Sequence, residues 1–205
     1  MGQLAIDTEI KLTKNLNKPH GQNNDERILA LLSNDATLDR GFRLLMEAYQ
    51  ERLYWQVRRM VHDHEDANDV LQNCFVKVYR SIRQFEGKSK LYTWLYRIAT
   101  NEAITFINKK KQKAVTSIDN EESSLSNQLK ADPYFDGDEV QALLAEATSK
   151  LPEKQQLVFN LRYYDEMSYA EMSELLETSQ GALKASFHHA VKKIVQYMKS
   201  AANGY

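Results

Sequence analysis

Between Glu65 and Ile82 every apolar residue except Val76, namely Ala67, Val70, Leu71, Cys74, Phe75, Val78, Tyr79 and Ile82, falls in steps that alternate between three and one. An α-helix brings all of them to one side, so this stretch reads as a helix with one face in a core. The same spacing gives a helix over 38–61, with Phe42, Leu45, Met46, Tyr49, Leu53 and Val57 inward. It gives another over 91–111, with Leu91, Leu95, Ile98, Ala99 and Phe106 inward. Asp25 is placed to cap a shorter helix ending near Leu32. Seven Gly and three Pro among 205 residues leave few breakers, which favours an all-α protein.

The last third carries a second local pattern. Ser168 precedes Glu171 by three residues, a capping box that opens a short helix running to about Leu176. Glu177 and Thr178 form a turn, and Ser179 is placed to cap the next helix. Helix, tight turn and helix make a helix-turn-helix. In the second helix Leu183, Phe187, Ala190, Val191 and Ile194 form the inward stripe. Gln180, Lys184 and His188 lie four apart on a different face, with His189 and Lys192 beside them. From Gln180 to Lys199 there are four lysines and no acid. Such a face suits a DNA major groove, with lysines on phosphates and Gln or His on base edges. The plainer alternative is the surface helix of a bundle.

Net charge is only −1, but it is segregated along the chain. Residues 88–113 hold seven basic side chains against Glu102 alone, and residues 119–139 hold seven acids against Lys130 alone. Patches set the potential that a polyanion meets. Trp94, Arg97, Asn101, Thr105 and Asn108 share a second face of the 91–111 helix. The loop with Lys88, Lys90 and Gly87 leads into that face. An aromatic, a cation and amides in line can stack unpaired bases and hold phosphates; a core Trp beside a basic helix end is the plainer reading. On the 65–82 helix the outward face shows Asn68, Asp69, Gln72, Asn73, Val76 and Lys77, either solvated surface or a partner's docking strip.

These features divide the chain into a mobile tail (1–25), a helical domain (26–113), a flexible acidic linker (114–138) and a second helical domain with the helix-turn-helix (139–200). The expected fold is thus all-α, with two small domains. His62 and His64 stand two apart and cannot share a helix face, so Asp63 is read as a helix cap and no metal or other cofactor is expected. Cys74 falls on the apolar face, as core packing. No apolar run is long enough to cross a membrane, and the first residues lack the apolar core of a signal peptide, so the expected place is the cytoplasm.

Through DANDVLQNCFVKVYRSIRQFEGKSKLYTWLYRIATNEAITFINKKKQK and LPEKQQLVFNLRYYDEMSYAEMSELLETSQGALKASFHHAVKKI, the chain resembles the sigma-70-family RNA polymerase sigma factors of the extracytoplasmic-function (ECF) type. The resemblance implies a non-catalytic subunit whose partners are core RNA polymerase, promoter DNA and an anti-sigma factor. It implies that Asp69, Gln72 and Asn73 dock on the polymerase clamp helices. Phe85, Lys88, Lys90, Tyr92, Trp94, Arg97 and Asn101 would bind and help open the minus-ten element. Gln180, Lys184, His188, His189 and Lys192 would read the minus-thirty-five element. Glu177 stands where the family commonly has Gly. Two other readings are a helix-turn-helix regulator with a helical sensor, which needs neither the Asp69 strip nor the Trp94 face, and an enzyme. The latter lacks a nucleophile–base pair, a metal-ligand set and a phosphate loop.

Overall fold

A computed structural model of the chain describes residues 22–116 and 139–202. Among the described residues the first half has four α-helices: α1 (Gln22–Leu32), α2 (Leu38–Val61), α3 (His64–Ser81) and α4 (Leu91–Thr116). Short 3-10 turns at Asp35–Thr37 and Ile82–Gln84 connect them. Local chemistry sets their ends. The Asn34 side chain accepts from the Ala36 N–H at 3.0 Å, and the Asp63 carboxylate accepts from the Asp66 N–H at 2.9 Å, so Asp63 caps α3 as expected. Helix α2 stops at His62, whose φ of 66° turns the chain into the left-handed region while its N–H donates to the Arg58 carbonyl.

Asp25 does something other than cap. Helix α1 begins before it, at Gln22, and the Asp25 carboxylate accepts the Tyr49 phenol at 2.6 Å, tying α1 to α2. Burial, reinforced by this carboxylate, pushes the Tyr49 phenol above its ordinary pKa. The two helices also meet at Gly41, where a Cβ would stand 3.0 Å from the Leu31 and Leu32 side chains. Only glycine lets the backbones approach so closely. Helix α4 continues past Lys111 to Thr116; the rest of the proposed tail and linker lies outside the described residues.

The inward stripes meet at the centre of this bundle. Leu45, Leu53, Val57, Ala67, Cys74, Val78, Leu95 and Ala99 are fully buried, and each large aliphatic among them contributes roughly 1.5–3 kcal/mol of transfer free energy. Burial also pushes the Cys74 thiol up to about 12, as core packing requires. One polar bridge crosses the core, from the Gln56 amide to the Thr100 hydroxyl at 2.6 Å.

The second half is also helical: α5 (Glu139–Ser149), α6 (Glu153–Tyr163), α7 (Tyr169–Leu176) and α8 (Gln180–Ala202). Phe159 anchors it, stacked on Tyr163 and Phe187 with ring centroids 5.0 and 5.9 Å away. Leu144, Ala147, Leu151, Ala190 and Ile194 complete that cluster. The protein is all-α, with two helical domains. The domains are not separate in space: Val158, Leu161, Met167, Met172, Leu175 and Leu183 continue the apolar cluster of the first half. Helix α7 packs on α4, and α6 on α2.

Candidate nucleic-acid interface

The capping box forms in full. Ser168 Oγ accepts from the Glu171 N–H at 3.2 Å, and Glu171 Oε2 accepts from the Ser168 N–H at 2.9 Å. Glu177 ends α7 in the left-handed conformation, with φ 51° and ψ 39°. Ser179 Oγ then accepts from the Ala182 N–H at 3.3 Å and starts α8. Leu183, Ala190 and Ile194 are buried and fix the rotation of α8, while Phe187 and Val191 line the edges of the stripe, half-buried. Gln180, Lys184, His188, His189 and Lys192 consequently all face solvent. Lys184 Nζ stands 5.7 Å from the centre of the Tyr169 ring, a cation–π contact that directs it along the outer face. The His188 and His189 rings are 6.1 Å apart, and no cluster of three metal-ligating side chains exists among the described residues.

The second candidate surface lies on α4 and the loop before it. Gly87 provides the turn with a φ of 68°. Phe85 returns to pack on Trp94, ring centroids 5.3 Å apart, so both rings are half-buried at the loop's base. Lys88 pairs with Glu86 and remains exposed. Asn101 is exposed one turn beyond Arg97. Of the three lysines closing this face, Lys110 pairs with Asp66 and Lys111 with Glu153.

Lys90, Tyr92 and Arg97 already have partners, all on α7. Lys90 Nζ lies 2.8 Å from Glu171 Oε1, the Tyr92 phenol stands near the same carboxylate, and the Arg97 guanidinium donates to the Glu174 carbonyl at 2.7 Å. Burial works against the Glu171 charge, but these hydrogen bonds and those from Ser168 outweigh it and draw the carboxyl down to about 2.

The third surface is the outer face of α3, where Asp69, Gln72 and Asn73 are exposed. It borders an apolar groove of about 590 Å³ between α2 and α3, lined by Phe42, Met46, Leu71, Phe75, Val76 and Tyr79 among others.

The family models for Sigma-70 region 2 and Sigma-70 region 4 match residues 45–113 and 141–194, in that order. The ECF RNA polymerase sigma factor SigW of Bacillus subtilis is 32% identical over 155 residues, covering 72% of this chain and 83% of that one. The chain belongs to the ECF sigma factors of the sigma-70 family.

The RNA polymerase sigma-H factor of Pseudomonas aeruginosa is 30% identical over 163 residues, covering 76% of this sigma factor and 84% of its relative. Two solved structures share the fold at 19% identity. The sigma factor RpoE of Bartonella quintana, in complex with the anti-sigma factor NepR, gives a TM-score of 0.66 over 77% of this chain and 96% of that one. CnrH, in complex with the cytosolic domain of CnrY, gives 0.64 over 86% and 98%. Such sigma factors are non-catalytic RNA polymerase subunits, and their role is promoter-specific transcription initiation. No described helix of this one is long and apolar enough to cross a membrane.

Contacts between the halves went unread in the sequence. Arg59 and Tyr96 converge on Asp165 at 2.7 and 3.3 Å, and the Gln156 amide stands 3.1 Å from His62 Nε2. Glu171 was legible as a helix cap; its second role, toward Lys90 and Tyr92, left no local signal.

Proposed function

We propose that this sigma factor docks on core RNA polymerase through Asp69, Gln72 and Asn73 and reads the minus-thirty-five element with Gln180, Lys184, His188, His189 and Lys192. The loop and face made by Phe85, Lys88, Lys90, Tyr92, Trp94, Arg97 and Asn101 take the non-template strand of the minus-ten element and promote opening. On this reading residues 26–113 carry docking and strand binding, residues 139–200 carry duplex reading, and neither carries catalysis. An anti-sigma factor, the kind of partner named for the Bartonella quintana structure, keeps the protein from polymerase.

The observation that best supports the reading is a pair of unlike surfaces on one chain. Helix α8 offers a regular, exposed, acid-free face suited to a duplex groove. Helix α4 offers an aromatic and cationic face suited to unpaired bases. Run-off transcription with core polymerase on a promoter library tests it: a subset of templates should yield transcripts only when this chain is added. Transcription from none of them, with core polymerase active alongside a second sigma factor, would refute it.

A further inference from the structure

Tyr169 opens α7 directly after its cap, so the Ser168–Glu171 capping box fixes where its side chain stands. The ring is half-buried and packs against the main apolar cluster. From α6 the Arg162 guanidinium lies 5.3 Å from the ring centre, and it is anchored in turn by donating to the Met167 carbonyl at 2.9 Å. From α8 Lys184 Nζ approaches to 5.7 Å. Lys184 follows the buried Leu183, which fixes its backbone and leaves its long stem exposed. Helix α8 has no acid between Gln180 and Lys199, and Lys184 makes no ion pair among the described residues. The Tyr169 ring is therefore what restrains this ammonium.

We propose that Tyr169 is a positioning residue for base reading, whose ring holds the Lys184 ammonium along the outer face of α8 before DNA arrives. This role rests on the minus-thirty-five reading given above. A lysine stem is flexible, and it gives up rotamer freedom when its head meets a base edge. The ring takes up part of that loss in advance, because its negative π face draws the cation into a restricted region. An aromatic suits the task better than a carboxylate would. It attracts the charge of the ammonium and leaves the outward N–H donors for a base edge, whereas an ion pair would occupy them. An exposed contact of this kind is worth about two- to fivefold, so the ring tunes a specificity that Lys184 itself creates.

The test uses holoenzyme, core RNA polymerase with the full chain, and a pool of promoter duplexes randomised across the minus-thirty-five element. Sequencing the bound fraction gives the discrimination at each base position. Lys184→Ala defines the position that this lysine reads. Tyr169→Leu keeps an apolar side chain without the π face, and should lower discrimination at that same position by about two- to fivefold, with the other positions unchanged. Tyr169→Phe keeps the face and should keep the discrimination. Where circular dichroism shows that Tyr169→Leu disturbs α7, replacing Tyr169 by trifluorophenylalanine weakens the ring face at nearly constant shape and should give the same loss. On the Lys184→Ala background Tyr169→Leu should add nothing, because ring and lysine act as one unit. A position relaxed by Lys184→Ala but by neither Tyr169→Leu nor the fluorinated variant would overturn the positioning role and leave the reading intact. A loss spread evenly over all positions in Tyr169→Leu would also overturn it, and assign the ring to the fold or to phosphates. Unchanged discrimination everywhere in Lys184→Ala would overturn the reading of Lys184, and the positioning role with it.

Discussion

Glu177 and His62 both sit in left-handed backbone, yet for different reasons. At Glu177 the φ of 51° serves only the tight turn between α7 and α8, and the side chain is exposed. The left-handed region costs a non-glycine residue about 1–2 kcal/mol, whereas glycine forfeits about 0.5–1 kcal/mol of chain entropy. Glu177→Gly should therefore raise stability by up to about 1 kcal/mol, seen as a higher urea midpoint at unchanged slope; a lower midpoint would mean the side chain contributes more than its backbone costs. His62 has a ring as well as a turn to serve. Burial first, and the Arg58 charge second, push it down to about 4. The unfolded chain takes up this proton near its reference value of about 6.5, the folded chain only near 4. Stability is thus lost as pH falls through that window, by up to about 3 kcal/mol at about 1.4 kcal/mol per unit. Asp165, a raised carboxyl, works in the opposite direction, so the informative quantity is a difference between two proteins. His62→Asn, which tolerates the left-handed turn, should show a flatter decline between pH 6.5 and 4.5 in urea titrations than the wild type. Parallel curves would show that the ring is protonated without penalty.

At the scale of elements, what could be read from the sequence was what lies within about one helical turn. The Ser168–Glu171 box, the Ser179 cap and the Asp63 cap are contacts between near neighbours, so residue types at fixed offsets announce them. Periodicity likewise gave the buried faces of α2, α3, α4 and α8, except that Tyr79, placed inward by its spacing, is 42% exposed. It could not say what covers a face. Asp25 reads as a cap from its position beside a helix, but Tyr49, 24 residues away, claims its carboxylate. Trp94 illustrates the same limit: spacing placed it on a second face of α4, and only the fold shows the Phe85 ring against it. For α8 the exposed face is set by burial of Leu183, Ala190 and Ile194, and what Lys184 touches on DNA becomes a question of partner chemistry. Lys184→Ala should cost about 1–3 kcal/mol on one promoter class and relax a single minus-thirty-five position, as for a guanine contact. A uniform loss on all duplexes, with the salt slope reduced by about one counterion, would assign the lysine to a phosphate instead. Gel-shift titrations at two salt concentrations over single-base promoter variants separate the two.

The whole molecule distributes its surfaces unequally. Helix α3 packs on α2 and α4, and its Asp69, Gln72 and Asn73 strip stays exposed in the closed arrangement. Tyr92 and Arg97 are half-buried beside α7, while Lys90 reaches Glu171 on that helix from an exposed position. Arg59 and Asp165, which close the seam, are 106 residues apart, and each half reads as a complete helical unit without the other. Nothing local in the sequence could therefore reveal that the halves meet. Two sites that share no residues should act independently on docking. Asp69→Ala with Gln72→Ala should weaken core polymerase binding about tenfold in titrations, with helicity and thermal midpoint unchanged because both side chains are exposed. The same substitutions placed on Asp165→Asn with Glu171→Gln should weaken it by the same factor, with a coupling below about 0.5 kcal/mol. Tighter docking by the Asp165→Asn with Glu171→Gln variant alone would mean that polymerase takes hold only of the open chain, because the opening cost would then be part of every docking measurement.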